Sequence, residues 1–455
     1  MPKIVPPTPV KGSINFRKTL SAPRLLSKIK EVFKGVPDDR TGKIDYPLED
    51  VLMSGLAMFG LKSGSMLAFD EGRADPHLSH NIRQLYGVEN VPCDTQMRTV
   101  LDAVDPEALR PATIGIIQEL QKQGVLESYR FLGGYLVSAD GTGMFSSGKL
   151  SCPHCCEKHH RNGETTYYHQ LLASVIVHPD KPTVLPLFHE PITREDGSTK
   201  NDCEHNASKR LIPALKKGFP RLNMIMLQDA LSCNGPHVNL LKEQGFSFII
   251  TAKPAVNSLI LKSVFQGQHD GSGKTQEFEI TDKETGIIRG YRYANGVPLN
   301  STHKNLLVNF IDYWEVHPNG KEYMYACVTD LPITADNVDQ IVRAGRSRWK
   351  VENETFNTLK NQGYCLEHNY GHGKQYLATT LALLMMLAFT VDQVQELCCS
   401  VFKAARNRFR SRKTLWRKMS SLFDSHFIKD WFALYAALIW GFEGTILETQ
   451  CDDTS

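Results

Sequence analysis

Apolar residues recur at three- and four-residue intervals from Leu25 to about Leu126, in LSKIKEVF and again in LEDVLMSGLAMFGL. This period predicts a helical module, and Pro47 falls where a first helical turn tolerates proline. Within it, NIRQLYGV, a break at Pro92 and then DTQMRTVLDAV predict helix, turn, helix, with Asp94 or Thr95 as the cap. At Tyr135 the period changes. GGYLVSAD is a short apolar run ending in an acid, LLASVIVH and TVLPLFH are two more β-rich runs, and NMIMLQD after the helix-like ASKRLIPALKKGF is another run ending in an acid. Helix-like HVNLLKEQG and strand-like FSFIITAK complete a mixed α/β pattern. From about Pro254 to Leu331 the segments FEITDK, IIRGYRYA, NLLVNFIDYWEV and EYMYACVTDL predict hairpin strands, with Asn-Gly turn signals at Asn295 and Asn319. Helical periodicity returns over 335–362 and 375–409, and the tail is helical.

These patterns divide the chain into a flexible arm (1–24), a helical domain (25–130), an α/β domain (131–253 and 332–397), a β-rich insertion between its halves (254–331) and a basic helical C-terminal region (398–455). At 455 residues, one large domain with accessory modules is the expected scale. The proline-rich start, MPKIVPPTPVKG, lacks the apolar segment of a secretory signal, so the cytoplasm is the expected compartment, with the nucleoid as the place of work if DNA is bound. The apolar stretch from Leu377 to Val391 is shorter than the roughly 20 residues that span a bilayer and carries three threonines; a buried core helix and no membrane partner are expected.

Charge alone is uninformative, because 52 basic residues face 49 acidic ones. Its distribution is not. Lys403 to Lys418 holds eight basic residues and no acidic ones, among them Arg406, Arg410 and Arg412, with Phe409 and Trp416 interleaved. Such a run can neutralise phosphates and stack on a base, or form a solvated basic face. Arg98, with Gln96 and Thr99 on the second helix of the helix-turn-helix, could face a major groove; a purely structural helix pair fits the same residues.

Asp140 and Asp229 each end an apolar run, where a rigid strand can aim a carboxylate, and Gly141, Thr142, Gly143 and Ala230 leave space beside them. The helix RSRWKVENETFNTLKNQ offers a third acid. Helical phase selects Glu352 over Glu354, since Arg348 lies four residues before Glu352, Lys360 returns near that face, and Trp349 and Phe356 share another. An exposed helix with an ion pair would show the same spacing; two strand-end aspartates upstream favour a site. Carboxylates suit Mg²⁺ or Mn²⁺, two ions in a site for in-line displacement at phosphorus. Lys253, after FSFIITAK, could reach a phosphate at the same sheet edge or be a plain surface lysine.

The order DGT, an apolar strand ending in QDAL, a β-rich insertion and RWKVENETFNTLK resembles the catalytic domain of bacterial insertion-sequence DDE transposases, over roughly Tyr135 to Leu387. The resemblance implies an α/β fold like ribonuclease H, a mixed sheet with flanking helices and a β-strand insertion between the second Asp and the Glu. It implies a triad of Asp140, Asp229 and Glu352, with Arg348 and Lys360 on DNA. It also implies cut-and-paste transposition of double-stranded DNA bounded by terminal inverted repeats into a target DNA, by a homodimer that synapses two ends. The family often has a tyrosine where this chain has Gly345, and a lysine seven rather than eight residues after the Glu. A metal-dependent nuclease without strand transfer and a catalytically silent DNA-binding relative stay open beside it.

Eleven cysteines without an export signal favour thiols or metal over disulfides. SCPHCCEKHHRNGETTYYH packs Cys152, Cys155, Cys156, His159 and His160 together, a half-site for structural zinc. Cys152 and Cys155 are the firmest ligands, His160 is a third, and Cys203 or His205 is the remote residue expected to complete the set. Cys398 and Cys399 are expected to be packed thiols.

Overall fold

The computed structural model describes residues 18–194, 200–253, 260, 262, 264, 275–441 and 447–448. The helical module comprises α1 (Ala22–Lys34), α2 (Leu48–Gly60), α3 (Met66–Gly72), α4 (Pro76–Tyr86), α5 (Asp94–Asp102) and α6 (Arg110–Lys122). Packing begins before the expected end of the arm: Leu20 is buried and its carbonyl accepts from Gln395. Pro47 occupies the N-cap of α2. Asp75 caps α4, and Gly87 closes it in the left-handed conformation that glycine adopts without a Cβ penalty. The cap expected for α5 is absent. Cys93 holds that position without a side-chain bond, while Asp94 lies in the first turn and pairs with Arg98 at 3.6 Å.

Strands β1 (Arg130–Phe131), β2 (Gly134–Ser147), β3 (Cys156–His159), β4 (Thr165–His178) and β5 (Lys181–Ile192) follow. Helix α7 (Lys200–Gly218) leads to β6 (Met224–Gln228), and α8 (Gly235–Glu243) leads to β7 (Ser247–Thr251). The central order is β5-β4-β2-β6-β7, with β4 antiparallel to both β5 and β2, and with β6 parallel to both β2 and β7. This is the sheet order of a ribonuclease H-like α/β fold. All five residues of β6 are buried, as a strand covered on both faces requires.

The β-rich segment does not form a separate layer. Its strands β8 (Thr275–Thr281), β9 (Ile288–Pro298), β10 (Leu307–Val316) and β11 (Glu322–Thr329) make an antiparallel meander, and β11 pairs with β7 to extend the central sheet. Asn319-Gly320 makes the expected turn, with Gly320 donating to the His317 carbonyl. Asn295-Gly296 does not: Gly296, at φ +70°, lies inside β9 opposite the register shift between Val308 and Phe310, so the pair forms a bulge.

After the sheet come α9 (Val338–Arg346), a 3₁₀ turn (Ser347–Trp349), a π-helical turn (Val351–Phe356) and α10 (Asn357–Asn361). Helix α11 (Leu377–Cys398) runs 22 residues, longer than its apolar stretch suggested. By length and composition it could cross a membrane, yet 89% of its apolar window is buried inside the fold, against α2, α5 and β5. An extended Cys399 separates it from α12 (Ser400–Arg408), followed by α13 (Arg412–Phe423) and α14 (Trp431–Trp440). The C-terminal helices join the N-terminal ones: the Asn81 amide donates to the Phe423 and His426 carbonyls, and the Trp431 indole donates to the Leu85 carbonyl. One hydrophobic core runs from Leu20 to Ile439.

Candidate functional site

Asp140, expected at a strand end, lies within β2 and pairs with Ala173 of β4. Its apolar run stops for another reason. Pairing of β2 with β6 ends at Ser138, so the strand leaves the sheet's interior there and continues beside β4 alone. Asp229 does follow its strand directly, and its Oδ1 accepts from the Leu231 N–H to cap a 3₁₀ turn. Because Ser138 is level with Leu227, parallel pairing carries both aspartates to the same end of the sheet.

Glu352 reaches that end from the π-helical turn. Arg348 Nη1 lies 2.7 Å from Asp140 Oδ2 and 3.6 Å from Glu352 Oε1, so one guanidinium spans two of the acids. The backbone there is fastened to β2, where the Ser138 hydroxyl donates to the Arg348 carbonyl. π-helical turns place side chains out of α-helical phase and recur at functional sites. The irregularity also separates Trp349 from Phe356: the first is 51% exposed and the second is buried, so the face expected to hold both is not formed. Glu354 acts on Lys350 instead of the aspartates.

Negative charge is crowded here. Burial, opposed by Arg348 and reinforced by the hydrogen-bonded Glu352 carboxylate, pushes the Asp140 carboxyl up to about 6. Burial and then the Asp140 charge raise Asp229 as well, while Arg348 pulls it down. The space expected beside Gly141 is taken: a Cβ there would meet the Glu204 carboxylate of α7 at 2.8 Å, an acid that no local pattern singled out. At Gly345 a Cβ would lie 2.0 Å from the Tyr325 hydroxyl of β11. The residue type fits the packing, since any side chain would collide with that tyrosine.

Several residues read as DNA contacts are engaged within the fold. Arg98 donates to the Tyr370 carbonyl and holds the loop before α11. Lys360 pairs with Glu367 at 2.9 Å. Arg412 makes a forked pair with Glu396, and Arg406 donates to the Phe409 carbonyl. Trp416 is buried beneath Lys62, whose ammonium lies 4.3 Å from its ring centre, so it is not available to stack on a base, and Phe409 is half-buried against the core. Arg410 is exposed, as are Lys403, Arg408, Arg417 and Lys418. Lys253 is exposed at the end of β7, beyond the strand level with Asp229.

The cysteine cluster closes with other partners than expected. Cys152, Cys155, His169 and His372 bring one ligand atom each to within 4.8 Å of one another, the one such group of His, Cys, Asp and Glu among the described residues. His160 instead pairs with Thr166 on the surface, and His205 with the Leu231 carbonyl. The side chain of Cys203 lies outside the described residues. His169 comes from β4, beside the Cys156–Tyr168 pair, and His372 from the loop before α11. Cys398 and Cys399 are buried thiols as expected.

The fold is thus a ribonuclease H-like α/β sheet with two aspartates and a glutamate gathered about one arginine. No protein-family model and no curated protein matches the chain. Among solved structures it is similar to a piggyBac transposase, determined by cryo-electron microscopy as a synaptic complex with hairpin DNA. Identity is 12% and the TM-score 0.40, covering 94% of this chain and 80% of that one. The strand order, not this loose overlap, defines the fold.

Proposed function

We propose that the chain is a DNA transposase of the insertion-sequence type, which cuts phosphodiester bonds at element ends and joins the freed 3′ ends to target DNA. The observation that carries this reading is the meeting of Asp140, Asp229 and Glu352 about Arg348 at one end of a ribonuclease H-like sheet, with Asp140 and Asp229 both held above their ordinary pKa. An oxygen-donor set with uncompensated negative charge suits Mg²⁺ or Mn²⁺. Asp140, Asp229 and Glu352 would hold the ions, which when bound supply charge stabilisation for displacement at phosphorus. Arg348 must loosen its bond to Asp140 for the acids to close on a cation, and its guanidinium is then free for a phosphate. Lys253 and Arg410 are the expected phosphate contacts elsewhere, and a homodimer is the expected form on paired ends.

The test begins with a search of the DNA on both sides of the reading frame for inverted repeats and uses a fragment that carries them. Wild-type protein with Mg²⁺ or Mn²⁺ cleaves at the repeat ends and transfers them to plasmid DNA. Asp140→Ala, Asp229→Ala and Glu352→Gln each lose cleavage by at least about 100-fold while retaining repeat binding. Cleavage without joining would make the protein a nuclease. Binding without cleavage by wild type would make it a silent DNA-binding protein.

A further inference from the structure

Four ligand atoms from three separate segments meet next to the Asp140 strand. Cys152 Sγ and Cys155 Sγ are 3.5 Å apart, too far for a covalent bond. His169 Nε2 lies 3.3 Å from the first and 3.4 Å from the second, and His372 Nδ1 lies 3.1 Å from Cys155 Sγ. With metal bonds of about 2.3 Å to sulfur and 2.0–2.1 Å to nitrogen, tetrahedral zinc sets sulfurs roughly 3.8 Å apart and sulfur and nitrogen roughly 3.5 Å apart. These four spacings fall within a few tenths of an ångström of those values, and all four ligand atoms lie within 4.8 Å of one another.

The surroundings fit an ion closed off from solvent. Cys155, His169 and His372 are buried, and the Phe145 ring lies 5.3 and 5.0 Å from the two imidazoles. The Cys152 N–H donates to Cys155 Sγ, a bond that favours thiolate. The Asn369 side-chain amide sits 3.4 Å from His372 Nε2; with its oxygen turned to that nitrogen it would accept the Nε2–H and leave Nδ1, which lies 3.1 Å from Cys155 Sγ, unprotonated for the ion.

We propose that Cys152, Cys155, His169 and His372 bind one zinc ion, and that this ion fastens the chain after Glu352 to the strands carrying Asp140. Two thiolates and two imidazoles select a borderline-soft tetrahedral cation over Mg²⁺. Four protein ligands leave no open position, so the ion is structural. Its position defines the role. β4 carries His169 and pairs with β2 at Asp140, whereas His372 belongs to the loop leading from α10 to α11. That loop is held on its other side by Asp102, whose carboxylate accepts from the Lys374, Gln375, Tyr376 and Leu377 N–H groups. Zinc would complete the clamp and with it the spacing between the carriers of the two acids.

The proposal is independent of the DNA chemistry and is tested without it. Full-length protein purified without chelator is expected to contain about one zinc ion per chain, retained in Asp140→Asn and His160→Ala and lost in Cys155→Ser and His372→Ala. Should the ligand variants fail to fold, wild type stripped and reloaded with Co²⁺ gives an independent readout: intense visible d–d bands of a tetrahedral site and a thiolate charge-transfer band. Wild type without zinc that takes up Co²⁺ without these bands would overturn the proposal. So would a Cys152–Cys155 disulfide in the metal-free protein as isolated, or zinc retained in folded His372→Ala.

Discussion

Asp140→Asn should make the protein more stable while destroying the proposed site. An ordinary aspartate titrates near 3.8, and Asp140 in the fold at about 6. At about 1.36 kcal/mol for each pH unit, keeping this carboxylate charged costs the folded state about 3 kcal/mol. A carboxyl with a higher pKa folded than unfolded binds more protons when folded, so this cost is absent below pH 3.8, grows up to pH 6 and is complete above it. Asparagine carries no charge and keeps an oxygen for the Gly141 N–H that Asp140 Oδ1 now accepts from. Arg348 loses its 2.7 Å partner but retains Glu352. The net expectation is a gain of about 2–3 kcal/mol at pH 8 that closes toward zero by about pH 4. Thermal unfolding of both proteins across this range measures it, in buffer without added divalent ions and without a chelator, which would also strip the cysteine and histidine site. Added Mg²⁺ should then narrow the gap, because only a protein that binds the ion is stabilised by it. Glu352→Gln relieves the same crowding, so the double variant gains less than the sum, with Arg348 left buried without either partner. An Asp140→Asn protein no more stable than wild type at pH 8, or a gap independent of pH, would refute the claim that the acids are under electrostatic strain.

Two further substitutions probe the supports of the site. Gly345→Ala would put a methyl 2.0 Å from the Tyr325 hydroxyl and 3.1 Å from Ile249 Cγ2, and overpacking of this kind costs about 1–3 kcal/mol. Tyr325→Phe removes an oxygen that is buried without a hydrogen-bond partner and should recover part of the loss; an unchanged melting temperature for Gly345→Ala alone would show that the tyrosine yields freely. Lys62 is buried 2.7 Å from Asp392, with the Tyr364 and Trp416 rings each 4.3 Å from its ammonium. Burial lowers its pKa and Asp392 opposes that shift. Lys62→Met strands the Asp392 charge with the Tyr364 hydroxyl and should cost about 3–5 kcal/mol, read by chemical denaturation; a loss below about 1 kcal/mol would mean the pair is replaceable by hydrophobic packing.

What could be read from the chain depends on how far apart the cooperating residues are. β6 and β7 announce themselves because strands buried on both faces need unbroken apolar runs, and Asp229 inherits its position from the end of β6. Asp140 looks the same in sequence and is not: the apolar run ends where β6 stops pairing, which only the register reveals. Arg348 and Glu352 meet as a four-residue spacing predicts, but through a 3₁₀ turn and a π turn that a single helical period cannot express. The same limit governs the metal ligands and the basic run. Cys152 and Cys155 share one turn, whereas Cys155 and His372 are 217 residues apart and meet through loop packing. Eight basic residues in sixteen positions suggest a surface, yet Arg412 turns to Glu396 and Trp416 covers Lys62. Two of the eight, Arg406 and Arg412, thereby work on the fold, since a half-buried guanidinium beside a half-buried carboxylate or a carbonyl gains a charge-assisted hydrogen bond there. The residues left facing outward, Arg410 among them, are exposed, and the phosphate contacts proposed above are to be tested on them rather than on the run as a whole.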